Sequence, residues 1–325
     1  MAGNRMKKDA LTLRAEPLRS HMRGSRSQLL ALVLLVLFFS GLTRQFFSLS
    51  NLTNILRQIS TKAMLAYGMT IVVVTGGIDL SVGSVVALSS CLAASLLNRG
   101  CPIVFAVPAA ILSGCLFGYV NGSIVTLTRI PAFITTMSTA TIGRGIASLY
   151  TNGKSIMVDD PAFIEIGNGH LGAMPNLIVY LAVFSLLCGL LLDRTRFGRL
   201  VYAIGDNRET ARFVGIRIDR VERLAYTCSG TLSGAVGVIL AARMYSGQPL
   251  IGEGRELDAI AAVVIGGTSL SGGSGTILGT LTGAMILGVM NNGLNLLKVQ
   301  TYWQQIFKGA LIIGAASLDL SRNRR

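Results

Sequence analysis

Asp79 is the one charged side chain between Ala63 and Asn98, and it sits in VVVTGGIDLSVGS, residues 72–84, with three glycines and two serines around it. A carboxylate inside so apolar a run is costly in lipid and marks a functional position by default. It could accept hydrogen bonds from the hydroxyls of a neutral substrate, or cap a helix that starts near Ser81. A second stretch repeats the pattern: AVVIGGTSLSGGSGTILGT, residues 262–280, aligns with residues 72–90 at an offset of 190, with nine of nineteen positions identical. Ser269 stands opposite Asp79, and Ser271 and Ser274 stand opposite Ser81 and Ser84. Asn121 and Asn292 add uncharged polar groups near the ends of apolar runs. Asp79, Ser81, Ser84, Ser269, Ser271, Ser274, Asn121 and Asn292 are therefore the candidates to line a polar path through a membrane.

Other chemistries find little support. His21 and His170 fall in a basic tail and an outer loop, so no histidine is placed to act as a base within the apolar segments. Glu256 and Asp258 are near neighbours, but at i and i+2 on a helix they diverge. The Gly-rich run GGTSLSGGSGT has neither the Lys-Ser/Thr of a phosphate loop nor the G-x-G-x-x-G of a dinucleotide loop. The five cysteines have no C-x-x-C spacing, so a metal or disulfide framework is not expected. The chain is expected to be non-catalytic and to bind no cofactor. An ion-coupled carrier is the competing class, but it would depend on intramembrane carboxylates, which are sparse here.

The elements that must carry these residues are membrane helices. Of 325 residues, 51% are hydrophobic and 14% charged, well below the roughly 25% charged of soluble domains. The net charge of +14 is concentrated: seven Lys/Arg in the first 28 residues, eight between Asp193 and Arg223, and three at the carboxyl terminus. That spacing, broken by long apolar runs, fits cytoplasmic loops under the positive-inside rule and not a nucleic-acid groove. Residues 1–28 read as a basic cytoplasmic tail and, with no cleavage site, as the flank of a signal anchor. Residues 29–320 read as the membrane domain, with an inner loop at 193–223, and 321–325 as a second cytoplasmic tail. The expected spans are Leu29–Phe47, Ala63–Ile78, Leu80–Asn98, Pro102–Thr128, Pro131–Tyr150, Leu171–Leu192, Ala225–Ala242, two within Ala259–Leu297, and Thr301–Leu318. Arg44, Arg144 and Lys308 would snorkel to the interface. The fold class is all-α and polytopic, with about ten transmembrane helices and both termini inside. Its internal repeat is parallel, with Gly-rich breaks in the helices. Glycines at fourfold spacing (114, 118, 122 and 275, 279, 283) read as helix-packing stripes.

The inner loop contains more than orientation requires. Asp206 followed by Glu209 predicts a capped helix over Asn207–Val214, about two turns long, which Gly215 would end in the left-handed conformation. Such an element suits a docking site for a soluble partner.

These residues together resemble the ribose-type sugar permeases of bacterial ATP-binding cassette importers. The likeness is carried by NILRQIS at 54–60, GGIDLSVGS at 76–84, YTNG at 150–153, GDNRETARFVGI at 205–216, ELDAIAAVVIGGTSLSGG at 256–273 and NNGLNLL at 291–297, in order over roughly residues 30–320. The resemblance implies a bacterial inner-membrane permease that pairs with a second copy of itself in membrane lipid. Its further partners would be a cytoplasmic ATPase, which uses the ATP and magnesium, and a periplasmic sugar-binding protein. It further implies that Gly205, Asn207, Glu209, Ala211, Arg212 and Gly215 form the element that couples to the ATPase; Thr210 and Val214 depart from the family pattern there. The sugar itself is not specified by these motifs.

Overall fold

The computed structural model describes residues 27–323. Helix α1 spans Ser27–Leu42. It is followed by α2 (Leu49–Val74), α3 (Val82–Asn98), α4 (Ile103–Thr128), α5 (Ala132–Thr151), α6 (Pro161–Asn168), α7 (Asn176–Arg194), α8 (Arg196–Asp206), α9 (Arg208–Phe213), α10 (Ile218–Arg243), α11 (Arg255–Ile265), α12 (Ile277–Leu296) and α13 (Thr301–Asn323). Each of the ten expected spans contains a helix, but α11, one of the two expected within Ala259–Leu297, has only 11 residues and is too short to cross alone; α6, α8 and α9 are short connectors. The expected amino-terminal tail lies almost wholly outside the described residues, as do the last two residues of the carboxyl-terminal one. Four two-residue strands tie the loops together: β1 (Ile156–Met157) pairs antiparallel with β4 (Ser246–Gly247), and β2 (His170–Leu171) with β3 (Met174–Pro175).

Helices α4, α7, α10 and α12 are long and apolar enough to cross a membrane by length and composition alone. Their burial divides them: 72% of the apolar window of α10 and 67% of that of α12 is enclosed, against 22% for α4 and α7. The first two are core helices, and the other two turn large apolar faces outward, as lipid contact requires. The core is built on α2, which packs against α7, α10, α11 and α12, while α10 also covers α3 and α4.

The glycine stripes explain how these helices approach. Gly114, Gly118 and Gly122 on α4 face Gly234, Gly230 and Arg223 on α10, with no room for a side chain; a Cβ on Gly118 would lie 3.1 Å from the Gly230 Cα and closer still to the Tyr226 carbonyl. On the second stripe Gly279 and Gly283 meet the backbone of Gly266 and Ala262, joining α12 to α11, whereas Gly275, expected on the same stripe, lies in the turn before α12 and packs against Thr268. Close backbone approach of this kind replaces the hydrophobic drive that lipid does not provide.

Helix α2 corrects the expected span, because it begins at Leu49 and not near Ala63. The charged Arg57 and Lys62 lie within this helix, and each finds a partner. Arg57 Nη2 lies 3.0 Å from His170 Nε2. Lys62 Nζ lies 3.1 Å from Asp258 Oδ2 on α11, and Lys308 on α13 pairs with the other oxygen of the same carboxylate. Lys308 therefore turns inward and does not snorkel. Arg144 also turns inward, where its Nη1 is buried, whereas Arg44 is exposed. The two lysines share one acidic partner that is 8% exposed, so their charges depend on it.

Two predictions follow from this packing. Asp258→Asn leaves two enclosed ammonium groups without a counter-charge and should cost about 3–5 kcal/mol, read as a fall in melting temperature in detergent; Lys62→Met, which leaves the Lys308 pair in place, should cost less. Gly118→Leu should separate α4 from α10 at a cost of about 1–3 kcal/mol or more, whereas Gly189→Leu on α7, where an added Cβ meets nothing within 4 Å, should leave the melting temperature nearly unchanged.

Candidate functional site

The first break is residues 75–81, between α2 and α3. α2 stops when Thr75 and Gly76 donate their amides to the carbonyls of Val72 and Val73, at 3.1 and 2.8 Å. Gly76 then takes φ 86°, a conformation in which a Cβ would be strained. The chain continues without helix to Ser81, and its polar groups are met one by one. Leu80 donates its amide to Thr136 Oγ1 on α5 at 3.1 Å, and the same hydroxyl lies 3.1 Å from the Ile78 carbonyl.

Asp79 organises the end of this break. It is 1% exposed. Its Oδ1 accepts from the Ser81 amide at 3.0 Å and the Ser81 hydroxyl at 2.6 Å, and its Oδ2 accepts from Ser229 Oγ on α10 at 2.7 Å. Asn121 on α4 donates to Ser81 Oγ at 2.7 Å, and Ser84 Oγ donates to the Ser81 carbonyl at 2.8 Å. Asp79, Ser81, Ser84 and Asn121 thus form one enclosed cluster, to which Ser229 is added. Ser229 had no signal in the sequence, being one small residue among several on an apolar helix. Gly68 on α2 marks the same crossing, since a Cβ there would lie 2.9 Å from the Ser229 Cα.

The second break is residues 266–276, between α11 and α12, and it reproduces the turn. Ser269 Oγ accepts from the Ser271 amide at 3.3 Å, as Asp79 does from Ser81. Ser269 also donates its amide to the Ser274 carbonyl at 3.0 Å. Ser269 is buried, Ser271 exposed and Ser274 half-buried. The helix end has slipped by one residue, because the left-handed glycine is Gly267, φ 78°, where the offset of 190 would place it at Gly266. Asn292 is apart from both breaks. It forms a reciprocal amide pair with Asn51, at 2.9 and 3.0 Å, that joins α12 to the start of α2.

The two breaks meet. Gly273 donates its amide to the Val74 carbonyl at 2.9 Å. Gly205, at the end of α8, presses against both of these atoms with no room for a Cβ. Tyr202, one turn earlier on α8, donates its hydroxyl to the Gly275 carbonyl at 2.8 Å. The inner loop is therefore in direct contact with the unwound segments.

Beyond Gly205 the loop forms α9. Its cap is Asn207, whose Oδ1 accepts the Thr210 amide at 2.8 Å. Asp206, the expected start of the cap, is the last residue of α8, so α9 is shorter than the two turns anticipated. Gly215 ends the element at φ 81°. Ala211 is buried against the body, and Glu209 and Arg212 are exposed. Arg208 forms a two-pronged ion pair with the buried Glu222 of α10, one prong at 3.0 Å. Two apolar residues are also widely exposed there: Phe213 is 89% and Val214 71% exposed. Neither the Arg208–Glu222 strut nor the role of Phe213 was readable from local pattern, because the strut spans fourteen positions.

The comparisons with known proteins agree with this architecture. The family described as "Branched-chain amino acid transport system / permease component" matches residues 51–316. The chain is similar to the ribose import permease protein RbsC of Haemophilus influenzae, at 42% identity over 294 residues, 89% of this chain and 91% of the relative. It is also similar to RbsC of Bacillus subtilis, at 41% over 316 residues, 96% of this chain and 98% of the relative. The D-allose transport system permease protein AlsC of Escherichia coli shares 35% over 290 residues, 89% of both. No solved structure matches the chain significantly. The two broken-helix segments, the loop packed against them and relatives that align nearly end to end lead to one conclusion: the chain belongs to the ribose-type permease family of ATP-binding cassette importers.

Proposed function

We propose that this chain is the membrane-spanning subunit that carries a ribose-like monosaccharide across the bacterial inner membrane into the cytoplasm. It acts as a pair with a second copy, receives sugar from a periplasmic binding protein and is driven by a separate cytoplasmic ATPase. The observation that carries the proposal is the path from α9 to the breaks. An exposed apolar tip, Phe213 and Val214, stands on a capped helix braced by the Arg208–Glu222 pair, and the adjoining α8 touches both unwound segments through Gly205 and Tyr202. A partner that grips the tip can shift the breaks through helices and backbone contacts that do not easily deform. The Lys/Arg-rich loop between Asp193 and Arg223 supports a cytoplasmic α9 under the positive-inside rule, and with an even number of crossings both termini would lie on that side too.

In this reading the chain performs no hydrolysis, and ATP and magnesium belong to the partner. Ser271 and Ser274, at the accessible side of the second break, can offer hydroxyls to a passing sugar. Asp79 serves as a lock between α3, α4 and α10 and not as a titrating carrier of ions, because each of its oxygens already receives a hydrogen bond from within the chain.

Two outcomes test this. Phe213→Asp, which changes a fully accessible side chain, should leave the melting temperature intact yet reduce ATPase co-purification and ATP-driven sugar uptake by at least about tenfold, the loss expected from removing an apolar anchor. Retained uptake would show that α9 is not the docking element. Asp79→Asn keeps an acceptor for Ser81 and a polar partner for Ser229, so ATP-driven uptake should persist, whereas Asp79→Ala should destabilise the protein by about 2–3 kcal/mol. Uptake that is lost in Asp79→Asn and follows a proton gradient in the parent protein would favour an ion-coupled carrier.

A further inference from the structure

The arginines near the inner loop are not spread evenly over its surface. Arg208 and Arg212 of α9, Arg217 and Arg220 at the start of α10, and Arg129 just past the end of α4 line one cavity of about 900 Å3. Against these five guanidinium groups the cavity has two carboxylates, Asp219 and Glu222. Glu222 is already engaged by Arg208. Four arginines and one aspartate remain, all exposed, and the four arginines form no ion pair among the described residues. Like charges gathered in this way repel one another, so the cluster gains stability from an anion placed among them.

The backbone adds to the same field. α5 begins at Ala132 and α10 at Ile218, and neither start has a side-chain cap. Both residues line the cavity, so two helix N-termini, each carrying partial positive charge, border it. Arg129 takes φ 58°, a left-handed conformation that glycine adopts more easily. An arginine held there at a backbone cost points to a use for its side chain. The cavity has no lysine, and the planar guanidinium is the cation that suits two-pronged binding of a phosphate or carboxylate.

The rim decides between a lipid phosphate and the carboxylates of a protein. Ile130 lines the cavity and is exposed, as are Leu127 on the last turn of α4 and Phe133 and Ile134 on the first turn of α5. They continue the outward apolar face that α4 presents. An amphiphile meets both features, whereas a soluble acidic segment meets only the charge. We propose that this cavity binds the phosphate headgroup of an anionic phospholipid, whose acyl chains lie against these ends of α4 and α5. Basic pockets between membrane helices on the cytoplasmic side recognise lipid headgroups in this manner. The inference does not use the identity of the transported sugar; it requires only a bilayer beside α4 and α5. Thr75, Gly76 and Gly77 also line the cavity, so the lipid sits against the first break.

The test titrates the purified permease in detergent micelles with phosphatidylglycerol, and separately with phosphatidylcholine, and measures bound lipid by native mass spectrometry. Arg129→Gln/Arg217→Gln/Arg220→Gln removes three charges from the cavity, and Arg194→Gln/Arg196→Gln/Arg199→Gln removes three from the inner loop outside it. Each cavity charge should be worth about fivefold in affinity, so the first variant should bind phosphatidylglycerol about 100-fold more weakly. The second variant should bind it like the parent protein, and phosphatidylcholine should bind poorly throughout. The altered side chains are exposed and unpaired, so the melting temperature should hold; if the triple cavity variant does not fold, Arg220→Gln compared with Arg199→Gln reads the single fivefold step. Equal weakening of both triple variants overturns the site, because it means diffuse attraction. Displacement of phosphatidylglycerol by inorganic phosphate alone overturns it in favour of a free-phosphate site. A cavity variant that binds phosphatidylglycerol like the parent also overturns it, and loss of the co-purifying ATPase in that variant would assign the cavity to an acidic protein partner.

Discussion

The hydrogen bond from the Gly273 amide to the Val74 carbonyl, at 2.9 Å, is the contact on which this architecture depends. A helix that ends inside a membrane exposes carbonyls that lipid cannot satisfy, and irregular backbone survives there only when protein encloses it. The two breaks solve this for each other: one supplies a carbonyl from the end of α2, the other an amide from a loop with no helix of its own. Gly205 fits against both atoms, and a side chain there would force them apart. The position of α8 is therefore not independent of the breaks, since their closure defines the surface on which it sits.

Charge inside the bundle follows the same logic of mutual satisfaction. Lys62, Asp258 and Lys308 come from α2, α11 and α13 and form one set, with the single carboxylate answering two ammonium groups. Asp79 is answered by hydroxyls and an amide. In both cases a buried ionic or polar group holds together helices that are distant in sequence, where apolar side chains would permit sliding. Arg144 Nη1 and Glu256 Oε2 differ, because each is enclosed without a hydrogen-bond partner among the described residues.

Much of this was legible because a repeat leaves its period in the sequence. The offset of 190 located both breaks, and the turn at Asp79 and Ser269 is the same turn. The glycine stripes were legible for a similar reason, since fourfold spacing places small residues on one helix face. What escaped notice depended on residues far apart in the chain. α2 was read as too short because Lys62 meets Asp258, 196 positions later. Ser229 and Glu222 gain their roles only when α10 packs on α3, α4 and α9. The cap of α9 was misplaced by one residue because Asp206 and Asn207 are both good caps by type, and the choice between them was made by where α8 ends.

The repeats have diverged in a way that gives the structure a fixed side and a movable one. The first break is held by side chains from three helices: Thr136 of α5 meets Ile78 and Leu80, Ser229 of α10 meets Asp79, and Asn121 of α4 meets Ser81. The second break is longer, begins α12 only at Ile277, and has Ser269 where a carboxylate would bring a stronger, charge-assisted bond. Among its links are the Tyr202 hydroxyl of α8 to the inner loop and the Gly273–Val74 backbone bond to the first break. A displacement entering through α8 thus meets greater resistance at the first break than at the second. Motion should be taken up between α11 and α12, with α3, α4 and α10 as the frame against which they move.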